Sequence, residues 1–343
     1  MVNGSQQLTS ERGAYGTGSL VSGLVLTTLG LFVASLMVGP VPIATADIWT
    51  ALFDPDPGPI ATVVRELRLP RAILAVLIGA SLGMSGAALQ ALVRNPLAEP
   101  GIIGVSALSA FGAVIIFYTG LATVHPLALP IGGIAGALVS VIVLLILAGR
   151  GLSTLTLILA GVAINSLGGA LTALVLNLSP NPFAAYEIFF WLMGSLANRS
   201  FEHVWVVLPF SLLGWLLILS AARALDTFVL GEEVAISLGV DVKRTRWLVV
   251  MGSALAVGAG VAVAGIVGFV GLVVPHLLRP IVGHRPVALL PLSGLGGATL
   301  TLAADITSRI VVGSTELKLG VVTALIGAPF FLYLVIKTRG AAT

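Results

Sequence analysis

The chain predicts an all-α membrane protein: a polytopic bundle of ten transmembrane helices with an inverted repeat. Three observations carry that reading. Hydrophobic residues fill 57% of the 343 positions and charged ones only 9%, for a mean hydropathy of +1.11. No soluble domain of this length makes do with so few charges. Apolar runs long enough to span a hydrocarbon core of about 30 Å recur along the whole sequence. The 41 glycines fall repeatedly three or four apart, as at Gly79, Gly83 and Gly86. That spacing lets helices approach closely in lipid.

The apolar runs are 20–39, 71–93, 101–120, 127–148, 155–178, 204–222, 247–265, 287–304 and 319–336. A weaker one at 268–282 is interrupted by Pro275, His276, Arg279 and Pro280. Counting it gives ten and places both termini in the cytoplasm. The inner side then holds Arg12, Arg94, Arg150, Arg223, Lys243, Arg244, Arg246, Arg279, Arg285, Lys337 and Arg339. The outer side keeps Arg65, Arg68, Arg71, Arg199, Arg309 and Lys318. This excess satisfies the positive-inside tendency, whereas nine crossings would move Lys337 and Arg339 outside. Residues 1–19 read as a mobile cytoplasmic tail, 20–337 as one transmembrane domain and 223–246 as a cytoplasmic loop within it. Ala44-Thr45-Ala46 resembles a cleavage site, but the preceding apolar run is longer than the roughly 7–15 residues of a signal, so the first helix is retained. Phe183–Leu196, with Tyr186, Phe189, Phe190 and Trp191, reads as a short interfacial helix on the outer face.

Two halves, 71–178 and 247–336, each hold four crossings and an odd number of other crossings separates them, which inverts one against the other. Each contains a Pro/Gly-broken piece, 94–104 in the first and 266–283 in the second. Paired interruptions of this kind point to a transport path. The run Arg94-Asn95-Pro96-Leu97-Ala98-Glu99-Pro100-Gly101 is the sharper of the two. Its prolines cannot continue a helix, and lipid cannot satisfy its backbone.

Several functions are excluded or disfavoured. Without cysteine there are no disulfides, thiolate nucleophiles or cysteine metal sites, and the four histidines show no ligand spacing. The net charge of +3 is dispersed among loops, which does not suit nucleic acid. No Gly-x4-Gly-Lys-Ser/Thr loop occurs, so the chain lacks that means of holding nucleotide, and no carboxylate or nucleophile constellation supports an enzyme. A proton- or sodium-coupled carrier needs ionisable groups within its helices, and these crossings are poor in them. Energy for transport then comes from a partner.

Gly79-Ala-Ser-Leu-Gly-Met-Ser-Gly-Ala-Ala-Leu-Gln90 followed by Arg94–Gly104 resembles the FecCD family, permease subunits of ATP-binding-cassette importers for ferric siderophores, haem and vitamin B12. The resemblance continues through Gly265–Arg279 and Asp305-Ile-Thr-Ser-Arg309 and ends in Gly320–Phe331. It covers nearly everything from Arg65 to Lys337, departing at Lys318-Leu319, where the family usually has Leu-Pro. It implies a homodimer in the bacterial inner membrane, two ATPase subunits that bind ATP and magnesium, and a periplasmic or lipid-anchored binding protein. This chain itself would hold no cofactor and contact no nucleic acid, only lipid and those partners. A ferric siderophore or haem is the expected cargo, with vitamin B12 the alternative. Passive conductance and ion-coupled carriage are the competing readings.

Site residues follow on two grounds. Glu232 and Glu233 suit the positive end of a short helix, and Gly239 its left-handed stop. The resemblance turns this loop, with Ala235 and Leu238, into the ATPase-coupling element. Arg65, Arg68 and Arg71 stand three apart on the outer side, as interfacial snorkels or partners of Glu66. The resemblance assigns Arg68, Arg71 and Arg309 to docking of the binding protein; Arg309 could instead pair with Asp305 one turn away. Ser153 and Thr154 read as a helix N-cap and, by resemblance, as the cytoplasmic gate. Arg94, Asn95, Pro96 and Pro100 form an inner-mouth turn that is not expected to bind cargo. His276 reads as structural, as do Gln90, Asn165 and Asn177, which could alternatively line the path.

Overall fold

The computed structural model describes residues 3–39, 43–53, 58–125, 127–148, 153–179, 181–310 and 316–340, and among them there is no strand. The first half runs α1 (Asn3–Met37), α2 (Thr45–Phe53), α3 (Pro59–Thr62), α4 (Leu69–Val93), α5 (Val105–Tyr118), α6 (Leu121–Val124), α7 (Ala128–Ala148) and α8 (Thr154–Asn177). The second runs α9 (Pro182–Leu192), α10 (Phe201–Ser220), α11 (Ala222–Phe228), α12 (Glu232–Ser237), α13 (Val242–Ala264), α14 (Val270–Val282), α15 (Pro286–Ile310) and α16 (Leu319–Gly340). Each of the ten apolar runs falls on a helix. Among the described residues seven segments are long and apolar enough to cross a membrane: those in α1, α3–α4, α7, α8, α10, α13 and α15. The apolar parts of α5, α14 and α16 are shorter. The stretch expected as a tail is helical from Asn3, while Met1 and Val2 lie outside the described residues.

Helix α4 is the axis of the bundle. Its spanning window is 89% buried and that of α13 78%, against 17% for α1. Glycine explains how so many helices reach α4. A Cβ on Gly79 would strike the Gly297 carbonyl of α15, one on Gly83 the Ser293 carbonyl, and one on Gly86 the backbone of Gly271 in α14. Gly214 and Gly252 play the same part between α10 and α13. Backbones meet directly where a side chain would hold them apart. Gly83→Leu is therefore expected to overpack this seam by about 1–3 kcal/mol or more. It should lower the thermal unfolding midpoint of the detergent-purified protein. Gly23→Leu, whose Cβ meets nothing within 4 Å, should leave the midpoint unchanged.

Before α4 the chain winds into a π-helical turn, Val63–Arg68, closed by the Leu69 N–H on the Val64 carbonyl. Pro70 supplies the reason: it has no N–H to continue the regular ladder, and the wider turn absorbs the gap.

Both sequence interruptions exist, and they touch. The first leaves α4 through Arg94 (φ 49°), passes a 3-10 turn at Pro100–Ile103 and enters α5 through Gly104 (φ 74°). The second leaves α13 through Gly265 (φ 75°) and starts α14 after Phe269 (φ 65°). Gly271 has room for the Pro100 ring because it lacks a Cβ: one there would lie 2.7 Å from Pro100 Cδ and 2.8 Å from the Leu82 carbonyl. Leu82 and Gly86 sit two to three turns before the C-terminal end of α4. The first break therefore climbs back from the end of α4 to meet the second inside the bundle.

Candidate functional site

Where the breaks meet, they wall a cavity of about 340 Å³. Glu99, Pro100 and Gly101 come from the first break, Ile266–Phe269 from the second, Ser106 from α5, and Asn165, Gly168 and Thr172 from α8. Gly161 and Gly168 let α8 lie against Ile102 and Ala107 of the re-entrant chain. Glu99 is half-buried and lines the cavity beside Phe269. Arg94, Asn95 and Pro96 are the exposed turn expected at the inner mouth, with Asn95 Oδ1 accepting the Leu97 N–H at 2.9 Å. Pro100 is buried and lies beside the cavity instead, because the run does not stay at the mouth.

The three arginines expected on the outer side do not project from the surface. Arg68 and Arg71 retain 5% and 9% exposure and the Arg309 side chain 3%. Arg68 Nη1 donates to the Leu36 and Met37 carbonyls, both at 2.8 Å. Arg309 Nη1 donates to Ser35 O at 2.8 Å and Val38 O at 3.0 Å. These are the orphan carbonyls at the end of α1, and two guanidiniums cap them. Arg71 reaches Asp305 (Nη2 to Oδ1, 2.9 Å) and Glu316 (Nη2 to Oε2, 3.0 Å). Asp305 is also paired with Arg309, as the one-turn spacing allowed. Arg65 Nε donates to the Ala51 carbonyl at 2.6 Å. The three buried arginines nevertheless converge on one pocket of about 300 Å³, together with Glu316.

In the loop expected on the inner side, α12 is the short helix expected from Glu232 and Glu233, stopped by Gly239 at φ 82°. Ala235 is fully buried and anchors it, while Val234, Ile236 and Leu238 are exposed at 42%, 57% and 61%. Arg246, itself 5% exposed, ties this helix down: Nη2 meets Glu232 Oε2 at 2.6 Å. The same Nη2 donates to Thr154 Oγ1 at 3.4 Å, in the first turn of α8. Ser153 caps that helix, its Oγ accepting the Thr156 N–H at 3.0 Å. Arg246 thus joins α12 to the first turn of α8, and α8 continues from there to the cavity wall. Sequence reasoning counted Arg246 as an inside charge at the end of the coupling loop and gave it no partner. The available signal was a basic residue one turn into an apolar helix, where it must face protein.

Two other residues singled out from the sequence have partners within the bundle. Gln90 Nε2 donates to Gly271 O at 3.3 Å and its Oε1 accepts from Arg279 at 2.7 Å. His276 stacks edge-on against Phe330 with ring centroids 5.6 Å apart. Among the described residues no group of three or more His, Cys, Asp or Glu could hold a metal.

A charge-poor helical bundle with re-entrant breaks around a central cavity is a membrane permease. The chain belongs to the FecCD transport family, which it matches over residues 26–337. It is 39% identical over 322 residues to the vitamin B12 import system permease protein BtuC of Vibrio cholerae, covering 93% of both chains. The cobalamin import system permease protein BtuC of Halobacterium salinarum is 41% identical over 281 residues, 81% of this chain and 74% of that one. The uncharacterized ABC transporter permease YvrB of Bacillus subtilis is 38% identical, covering 90% and 89%. A solved inward-facing ABC transporter, assigned to the metal-chelate type, superposes with a TM-score of 0.83 at 34% identity, over 93% of this chain and 99% of that one.

Proposed function

We propose that this chain is the membrane subunit of a binding-protein-dependent ATP-binding-cassette importer that moves a metal chelate into the cytoplasm by alternating access. Two copies pair, two ATPase subunits dock on α12, and a binding protein delivers cargo from outside. ATP and magnesium belong to the ATPases. The setting is a bacterial inner membrane, with both termini in the cytoplasm. The names of its relatives favour a cobalamin cargo over a ferric siderophore or haem.

One observation carries the reading. An inner helix with three exposed apolar side chains is linked through Arg246 to α8, which walls the cavity. Movement of a docked partner is thereby passed to the path. Exposed Leu159, Val162 and Leu167 on α8 supply an apolar face for the second copy. At the outer pocket Arg68, Arg71 and Arg309 line one recess together with Glu316, and a cluster of guanidiniums suits a carboxylate of the binding protein.

Co-purification with the ATPase subunits tests the assembly, and native mass spectrometry should show two permeases with two ATPases. A permease that purifies alone from cells expressing both would contradict it. At Gly239 a Cβ meets nothing within 4 Å, but the backbone is left-handed. Gly239→Trp is expected to insert normally and to strain the stop of α12 by about 1–2 kcal/mol. Uptake should then fall, and unaffected ATP-driven uptake would remove the coupling role of this turn.

A further inference from the structure

Another recess, of about 300 Å³, opens where the C-terminal ends of α4 and α14 meet the start of α15. It lies on the side expected to face the cytoplasm. Arg94, Arg279 and His284 line it, with Gln90, Val229 and Leu289. No carboxylate lines it, and among the described residues no salt bridge reaches Arg94 or Arg279. The neighbouring acids are engaged elsewhere. Asp226 accepts the Val287 N–H at 3.0 Å and faces Arg285, Glu232 holds Arg246, and Glu233 lines the adjoining recess over α12. One of the two guanidiniums is held in place. Gln90 is buried, and its Nε2 donates to the Gly271 carbonyl, which turns Oε1 toward Arg279 Nη2 at 2.7 Å. A guanidinium carries five N–H donors, so most of those on Arg279 remain for a ligand. Arg94 is exposed beside it.

We propose that this recess binds the phosphate headgroup of an anionic phospholipid, one for each copy of the chain. Guanidinium forks match phosphate oxygens in geometry as well as charge. The helix ends that form the recess belong to the apolar bundle, and Val229, Ile281 and Val287 on the same segments are exposed, an apolar rim for acyl chains. Basic pockets between membrane helices on the cytoplasmic side suit anionic headgroups. The ammonium of a zwitterionic lipid finds two guanidiniums here and no carboxylate, so the recess selects for net negative charge. Gln90, Arg94 and Arg279 lie in the blocks that importers of different chelates share, which suits a role independent of cargo. Arg94 also lines the recess over α12, where a Cβ on Gly231 would lie 3.7 Å from its Nη1. A headgroup held by Arg94 and Arg279 therefore fixes the inner turn beside α12.

The detergent-purified protein, alone and with its ATPase subunits, is delipidated and titrated with phosphatidylglycerol or phosphatidylethanolamine of the same acyl chains. Native mass spectrometry counts the lipids retained. Wild type is expected to hold one phosphatidylglycerol per chain, about tenfold tighter than phosphatidylethanolamine. Arg94→Gln and Arg279→Gln should each weaken phosphatidylglycerol about fivefold, the loss of one cation near the membrane surface. Lys243→Gln removes an exposed cation outside the recess and should leave binding unchanged. Arg279→Lys keeps the charge and should retain most of the affinity, which a packing defect would not allow. Arg94 is exposed, so its variant reports on binding without disturbing the core. Equal retention of the two lipids would overturn the proposal, as would unchanged phosphatidylglycerol binding when Arg94→Gln and Arg279→Gln are combined. Displacement by millimolar inorganic phosphate would assign the recess to a free anion and overturn the lipid. Binding that disappears once the ATPase subunits are present would give the recess to a carboxylate of that partner instead.

Discussion

Asp305→Ala is expected to be among the most damaging single substitutions in this chain. Asp305 is fully buried and holds both Arg71 and Arg309. Removing it leaves two guanidiniums in a desolvated site with, among the described residues, only Glu316 as counter-charge, and such losses cost about 3–5 kcal/mol. The damage should spread to α1, because Arg309 also caps its last carbonyls. Glu316→Gln should cost far less, about 0–1 kcal/mol, since its side chain is a third exposed and water replaces the lost pair. Thermal unfolding of the purified protein reads both. An Asp305→Ala midpoint equal to that of wild type would show that the cluster is not structural. This also bears on docking. Arg71 and Arg309 serve the fold as well as the outer pocket, so loss of binding-protein affinity counts only in variants whose unfolding is unchanged.

Arg246→Met should insert, fold and bind ATPase subunits, yet transport poorly. The substitution keeps the length and apolar stem of the side chain but cuts the contacts to Glu232 and Thr154. Cargo moved per ATP is expected to fall about tenfold, roughly 1.4 kcal/mol of coupling, while stimulated hydrolysis stays within about threefold. The exchange Glu232→Arg with Arg246→Glu should recover part of the loss, because the ion pair is rebuilt in reverse. A purely structural role would lower both quantities together. Unchanged transport per ATP would remove Arg246 from the transmission path.

The helices were legible because the bilayer imposes their length and because glycine spacing marks close crossings. Gly79, Gly83 and Gly86 each meet another backbone, as their spacing implied. The α12 turn was legible from Glu232, Glu233 and Gly239, whose preferences are local. Burial was not. Arg68, Arg71 and Arg309 read as an outer patch, since their partners Leu36, Ser35 and Asp305 lie far away in sequence or a turn away on a buried face. The path of Arg94–Gly101 was hidden for the same reason. Two prolines announce a break, but only the contact of Pro100 with Gly271 shows that the chain turns back into the bundle. Glu99 therefore belongs to the cavity and not to the mouth.

Uptake of labelled cyanocobalamin into proteoliposomes, with ATPase subunits and binding protein present or withheld, tests the central claim most directly. Uptake is expected only when permease, ATPases, binding protein and ATP are all present, and it should not respond to proton or sodium gradients. Accumulation that follows an ion gradient without the ATPases would contradict the account.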